Sequence, residues 1–396
     1  MLNNSFSFNN TPKIFFGKDN FDKLPDLIAN YGKKALIITG GSSLYQSGHY
    51  KRLTDALAKR KISYSNLKVT DEPSPDLVDQ TSKKYRKQEI DVVVAIGGGS
   101  VIDAGKAISA MLVQEESVMA YLEGVGEGKE HSGNKIPFIA VPTTSGTGSE
   151  ATKNAVLSRV GDNGFKKSLR HDNFVPNIAL LDPKLTISCP AEITAASGLD
   201  ALTQLLGAYL STKASPMTDS LALTALRYAG QALVPAATTD SENVNLRAKM
   251  SYASLISGIT LANAGLGIVH GLASSVGGYF EIPHGVLCGS LLGEATKMNI
   301  NLLQAKNDNK FLKKYAKAGA ALVGDQPSKA QNNIDHYCQL LIKRLNTWIE
   351  ELNIPSLSEY GISEDDLDKI AQATGYKNNP VALSNEQIKK LVKSRL

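Results

Sequence analysis

His270 stands in Val-His-Gly and His284 in Pro-His-Gly, each within apolar, glycine-rich sequence that gives a solvated imidazole little reason to be there. Asp200, in Gly-Leu-Asp-Ala-Leu-Thr-Gln-Leu-Leu, sets a carboxylate inside an apolar helical pattern, where an unpaired charge is expensive to bury. A divalent metal held by all three would account for them together. Three protein ligands and one open position suit a Lewis-acid site, because a substrate oxygen must reach the ion. Taken singly, either histidine reads as a hydrogen-bonded core group, and Asp200 as a capping or buried hydrogen-bonding residue. The metal reading rests on their joint presence in a chain with only 6 histidines. Gln204 follows Asp200 by one helical turn, so both project from one face. His270 and His284 are expected at the ends of a helix and a following turn.

A second set of residues suits phosphate. Gly97, Gly98, Gly99 and Ser100 come where a β-branched strand (91–96) hands over to a helix beginning at Val101, so bare backbone N–H groups and the helix dipole face an approaching anion. The spacing is not G-x-G-x-x-G, and a tight turn needing glycine for positive φ is the plain alternative. The loop from Thr143 through Thr144 and Thr147 to Ser149 follows another strand (136–141) and offers hydroxyls; a Ser/Thr-capped helix start there is compatible with ligand binding. Two such loops at the carboxyl ends of parallel strands describe a dinucleotide crevice. Gly40, Gly41, Ser42 and Ser43 follow the strand 34–39, where a carboxylate grips the free 2′-hydroxyl of NAD. No carboxylate follows this strand, which leaves room for a 2′-phosphate and favours NADP over NAD.

Positioning these groups takes two kinds of architecture. The first half alternates strand and helix patterns, the signature of a parallel sheet wrapped by helices, with further elements at 50–59 (helix), 65–69 (strand) and 76–87 (helix). Past Asp182-Pro183 the texture turns to long Ala/Leu-rich helical patterns at 194–211, 216–233, 245–258, 329–353 and 385–395. At 396 residues two domains are expected, with the boundary placed at 1–185 and 186–396. The stretch 124–135 reads as a surface loop. A 42% hydrophobic and 20% charged composition is that of an ordinary globular protein, so disordered and fibrous classes are disfavoured. A net charge of +5 with dispersed lysines gives no nucleic-acid stripe. Cys189, Cys288 and Cys338 lack CxxC spacing and fit buried thiols in a reducing compartment. The N-terminal Met-Leu-Asn-Asn-Ser-Phe-Ser-Phe lacks the basic head and apolar run of a signal peptide, and no apolar stretch reaches the ~20 residues that span a bilayer. The expectation is a cytoplasmic protein with no membrane and no nucleic-acid partner.

Assembled, these residues resemble the iron-containing (group III) alcohol dehydrogenases along nearly the whole chain. The motifs are Lys-Ile-Phe-Phe-Gly at 13–17, Gly-Gly-Gly-Ser-Val-Ile-Asp-Ala-Gly-Lys at 97–106, Pro-Thr-Thr-Ser-Gly-Thr-Gly-Ser-Glu at 142–150, Leu-Asp-Pro-Lys-Leu-Thr at 181–186, Ala-Ser-Pro-Met-Thr-Asp at 214–219 and Asn379-Pro380. The resemblance implies an α/β dinucleotide-binding domain of the dehydroquinate-synthase-like type, an all-helical second domain, a site in the cleft between them, and commonly a homodimer. It implies cofactor contacts at Gly98, Gly99, Ser100 and Asp103, with Thr143, Thr144, Thr147, Thr152, Val156 and Lys166 lining the rest. Its metal ligands are Asp200, His270, His284 and a fourth position that is usually histidine. Here that position is Gln204, whose carbonyl binds a late first-row ion less strongly than imidazole, so iron and zinc are both open. A second histidine that the family often carries near the nicotinamide is Ser274 here, which would relay a proton through a hydroxyl and water.

The expected activity is therefore that of an NAD(P)-dependent alcohol dehydrogenase or aldehyde reductase, with metal-assisted hydride transfer to or from a small alcohol or aldehyde. Two alternatives stand beside it: a metal-independent, maleylacetate-reductase-like reductase of a charged substrate, and a non-catalytic nucleotide-binding relative.

Overall fold

A computed structural model of the chain describes residues 5–159 and 164–396; residues 1–4, part of the N-terminal Met-Leu-Asn-Asn-Ser-Phe-Ser-Phe stretch, lie outside the described residues. The chain separates into two compact units, one of Asn9–Thr144 and Gly148–Cys189, the other of Ser145–Thr147 and Pro190–Leu396 with an N-terminal piece ending at Phe8.

The first unit is built on a six-stranded, wholly parallel sheet of order β1-β8-β5-β4-β2-β3. Its strands are β1 (Lys13–Phe16), β2 (Lys34–Thr39), β3 (Ser63–Lys68), β4 (Val92–Gly97), β5 (Phe138–Pro142) and β8 (Ile178–Leu181). A separate antiparallel hairpin pairs β6 (Asn154–Arg159) with β7 (Phe165–Arg170). The helices are α1 (Leu24–Ala29), α2 (Ser43–Gln46), α3 (His49–Lys59), α4 (Pro75–Tyr85) and α5 (Gly99–Met111).

The central strands are apolar on both faces because both are covered, the condition that favours continuous Val/Ile runs over alternation. Ile37, Val94, Ile96 and Val141 face a core with Leu24 and Ile28 of α1 and Leu53 and Leu57 of α3. The alternate residues Leu36, Val93, Ala95 and Ala140 face a second core with Val78 of α4 and Ile102, Ala107 and Ile108 of α5. Helix α5 approaches the sheet so closely that a Cβ at Gly105 would stand 2.7 Å from Ala95 Cβ and 2.8 Å from Phe138 Cε2. Only glycine fits that crossing, and the start of α5 is thereby held at the sheet's carboxyl edge.

The second unit is helical: α6 (Ala191–Tyr209), α7 (Pro216–Ala237), α8 (Val244–Ala264), α9 (Ile268–Val276), α10 (His284–Ala305), α11 (Asn309–Leu322), α12 (Ile334–Glu351), α13 (Leu367–Ala373) and α14 (Asn385–Lys393). Among the described residues no single helix is long and apolar enough to cross a membrane. The sequence patterns located α6, α7 and α8. They ran α12 together with a preceding 3-10 turn (Pro327–Asn332) and gave no strand at β1, β6, β7 or β8. β1 and β8 span only four residues each, with β1 mostly exposed, and β6 and β7 do not alternate apolar with polar residue types, so neither length nor alternation marks these strands in sequence.

Candidate active site

Helix α6 carries Asp200 and Gln204 one turn apart, both buried. His270 is the third residue of α9, and His284 is the first residue of α10, behind Pro283 at φ −55°. What sets α10 against α6 is the absence of side chain at Gly285, where a Cβ would stand 2.3 Å from the Ala196 carbonyl oxygen. The start of α9 is fixed by Asn379, whose Oδ1 accepts from Ile268 N at 3.3 Å and whose amide pairs reciprocally with that of Asn299.

These elements bring the three predicted ligands together. Asp200 Oδ1 lies 3.2 Å from His270 Nε2 and 3.6 Å from His284 Nε2. A tetrahedral ion with bonds of about 2.0–2.1 Å to nitrogen and oxygen has ligand–ligand edges of about 3.3 Å, so this spacing suits a small divalent cation. Asp200 and His270 are almost fully enclosed, whereas the His284 side chain is 31% exposed, so the group is reached from the side of His284. Burial alone would push the Asp200 carboxyl up. The His284 and His270 imidazoles and the Gln204 amide outweigh it and hold the carboxyl below its ordinary range.

Gln204 Nε2 donates to Asp200 Oδ2 at 3.1 Å, and its Oε1, the atom that could ligate, accepts from Ser257 Oγ of α8 at 2.8 Å. The amide thus sits behind the carboxylate and orients it, leaving Oδ1 for the histidines. His270 Nδ1 is buried with no hydrogen-bond partner. Ser274 is exposed, and its hydroxyl donates to the His270 carbonyl at 2.8 Å.

Cys288, assigned from sequence only as a buried thiol, joins this group. Its sulfur and the three other ligand atoms all lie within 4.8 Å of one another. The signal in sequence was the His284-x-x-x-Cys288 spacing, which acquires meaning only when His284 begins a helix.

In the sheet unit, β2 and β4 are neighbours whose chains continue outward in opposite directions, to β3 and to β5. A ligand crevice in an open parallel sheet forms at such a reversal, outside the carboxyl ends of the strands. Gly40 and Gly41 follow β2, and Gly98, Gly99 and Ser100 follow β4 into α5, so both glycine-rich segments flank this point. Nothing lies within 4 Å of a Cβ placed on Gly41, and Ser42 directly precedes the short α2 without a side-chain capping bond. Thr143 N donates to Gly97 O at 2.9 Å, joining the third loop to the second, and Thr144 is the neighbour closest to Gly98. Thr147 belongs to the helical unit.

The remaining nominated residues are tied into the protein itself. Asp103 Oδ2 accepts from Val156 N at 3.0 Å, and its other oxygen accepts from Ser149 Oγ. Lys166 pairs with Glu72. Thr152 Oγ1 accepts at 3.0 Å from Lys106, a fully buried lysine that also donates to Ser149 O at 2.8 Å and Asn154 O at 2.7 Å. Burial pushes Lys106 down to about 8, against the pull of Asp103 and Glu150, and pushes Glu150 up to about 7. Sequence reasoning did not single out Lys106 or Glu150; their burial depends on how α5, the 149–152 turn and β6 pack.

Comparison with known proteins bears on the whole chain. Residues 11–183 match the model of the iron-containing alcohol dehydrogenases, and residues 194–396 match that of the C-terminal region of the Fe-containing alcohol dehydrogenase family. The sequence is similar to alcohol dehydrogenase 4 of Saccharomyces cerevisiae (strain ATCC 204508 / S288c), at 31% identity over 392 residues and 96% of each chain. It is also similar to the NADPH-dependent butanol dehydrogenase of Clostridium saccharobutylicum, at 31% identity over 96% of this chain and 95% of that one. Among solved structures, a 1,3-propanediol oxidoreductase superposes with a TM-score of 0.88 at 29% identity, covering 99% of this chain and 100% of its own. With the ligand cluster and the strand-end loops in place, the chain belongs to the iron-containing alcohol dehydrogenase family and is an NAD(P)-dependent alcohol oxidoreductase.

Proposed function

We propose that this enzyme interconverts a small alcohol and its aldehyde with NADP(H), assisted by a divalent ion held by Asp200, His270 and His284. The observation that carries the reading is the approach of two imidazole nitrogens to one carboxylate oxygen, at 3.2 and 3.6 Å, in a largely enclosed site. When bound, the ion would supply Lewis acidity toward the oxygen of the reacting carbon and the nicotinamide would supply or accept the hydride.

The chain's own residues do the rest. Gln204, braced by Ser257, fixes the rotamer of Asp200, so that one carboxylate oxygen faces the histidines and the other is occupied. Partial exposure of His284 leaves a route for a small substrate. Ser274, one turn beyond His270, is assigned the transfer of the substrate proton toward solvent. The backbone N–H groups of Gly99 and Ser100 at the start of α5 are assigned to the pyrophosphate, and Gly40, Gly41 and Ser42 to the 2′-phosphate. The preference for NADP(H) is supported by the lack of a carboxylate after β2 and by the open space at Gly41. Asp103, Thr143, Thr144, Thr147, Thr152, Val156 and Lys166 are assigned to the remainder of the cofactor site on family resemblance. So is a homodimeric assembly. A cytoplasmic location is supported by three cysteines that form no disulfide.

The test is NADPH oxidation with short aldehydes before chelation, after chelation, and after refilling with zinc or iron. Loss of turnover on chelation and its return on refilling are expected; unchanged turnover in metal-free protein overturns the role of the ion. His270→Ala should lose bound metal and activity together.

A further inference from the structure

We propose that Cys288 is a metal ligand. Its thiolate completes a four-ligand set with Asp200, His270 and His284, taking the role that family resemblance gives to position 204. The inference rests on the metal reading above and adds a specific donor and a metal preference.

Placement comes first. Cys288 follows His284 by four residues on α10, so the two side chains share one face of the helix. A Cβ at Gly289 would stand 2.6 Å from Leu199 Cδ1, so at this level too α10 lies tightly against α6, beside Asp200. The sulfur lies 3.8 Å from His270 Nε2 and 3.7 Å from His284 Nε2. For a tetrahedral ion with a sulfur bond of about 2.3 Å and nitrogen bonds of about 2.0–2.1 Å, the sulfur–nitrogen edge is about 3.6 Å. Both sulfur–nitrogen separations meet that length, as the oxygen–nitrogen separations meet the shorter edge.

The plain alternative is a packing thiol, since cysteine is among the most buried residue types and behaves as a small hydrophobe. A packing thiol requires apolar neighbours. Here the sulfur also meets the same two ring nitrogens that face Asp200, contacts that packing alone does not call for. Gln204 cannot serve equally well as it stands, because its carbonyl oxygen already accepts from Ser257 while its amide nitrogen holds Asp200.

Two consequences follow from the donor chemistry. Binding deprotonates the thiol, so a carboxylate and a thiolate together neutralise a divalent ion, whereas one carboxylate with imidazoles leaves a net positive centre. A soft thiolate also shifts preference toward zinc and away from the harder oxygen-ligand metals. The site is thus expected to favour zinc over ferrous iron by a wider margin than one built only of a carboxylate and imidazoles.

The experiment is titration of the full-length, chelator-stripped, reduced protein with cobalt(II), followed in the near ultraviolet and the visible. The expected result is a thiolate-to-cobalt charge-transfer band that saturates at one ion per chain. In Cys288→Ser the visible cobalt bands should persist without that charge-transfer band, and affinity should fall roughly 10–100-fold or more, at least the loss seen on removing an outer-shell partner. Cys288→Ala, checked by circular dichroism for a native fold, should behave likewise. Cobalt bound to the unaltered protein without the band, and lost on His270→Ala, overturns the thiolate ligand and leaves the three-ligand site standing. A band that survives in Cys288→Ser comes from Cys189 or Cys338 and overturns the inference as well. Failure of the unaltered protein to bind cobalt at all overturns the metal reading itself.

Discussion

The contact that brings two ligand-bearing helices together can be tested by adding one methyl group. In Gly285→Ala the new Cβ would stand 2.3 Å from Ala196 O and 2.6 Å from Ala196 C, and ordinary contact begins at 3.4 Å. Since the opposing atoms are backbone, relief requires α10 to move away from α6 by about 1 Å. Overpacking of this kind costs about 1–3 kcal/mol. Gly285 is the second residue of α10, where alanine returns at most about 1 kcal/mol of helix propensity. The net loss of stability is then about 0–3 kcal/mol, so the variant should fold with its Tm lowered by several degrees. Metal binding is the sensitive readout. A shift of about 1 Å takes the Asp200 Oδ1–His284 Nε2 separation from 3.6 Å to about 4.6 Å, beyond the 4.2 Å or so that two metal bonds can span even in a straight line. Zinc affinity measured by equilibrium dialysis should drop roughly 10–100-fold or more, and kcat/KM for a short aldehyde by about 100-fold. A folded Gly285→Ala protein with unaltered zinc affinity and turnover would refute the claim that this crossing sets the ligand geometry.

Three further outcomes are expected. Gln204→Leu leaves Asp200 Oδ2 without its amide donor and should weaken zinc binding by roughly 10–100-fold at unchanged Tm within a few degrees, as read by the same dialysis. Burial raises the Glu150 carboxyl from 4.5 to about 7, so the folded protein holds a proton that the unfolded chain has released between those values, and stability is lost as pH rises through that window. The loss amounts to at most about 3 kcal/mol, and urea denaturation at pH 5 and pH 8 should show Glu150→Gln nearly free of it; parallel curves for both proteins would count against the assignment. Gly41→Asp places a carboxylate in open space after β2 and should raise the KM for NADPH relative to NADH by tenfold or more, whereas an unchanged ratio would remove this loop from cofactor selection.

Residue types alone mark the groups that are expensive to leave unpaired and the strand-to-helix punctuation. Asp200, His270 and His284 were legible because their residue types conflict with apolar surroundings, and that conflict is local. The sheet's central strands and the glycine turns after β2 and β4 were legible for a similar reason: a β-branched run ending in glycine needs no distant partner to be recognised. The short outer strand β1 was not, since it pairs with β8, remote in sequence, and the β6–β7 hairpin was not, since neither Asn-Ala-Val-Leu-Ser-Arg nor Phe-Lys-Lys-Ser-Leu-Arg alternates apolar with polar residues. The way Gln204 turns its amide depends on helix packing, because Ser257 sits on another helix and competes for the oxygen that could have ligated. Packing likewise places Cys288 beside the imidazoles, since the register of α10 against α6 is set by the backbone contact at Gly285, whose partner, Ala196, lies far away in sequence. Ligand identity is written in composition, but ligand geometry is a property of how closely two helices can approach.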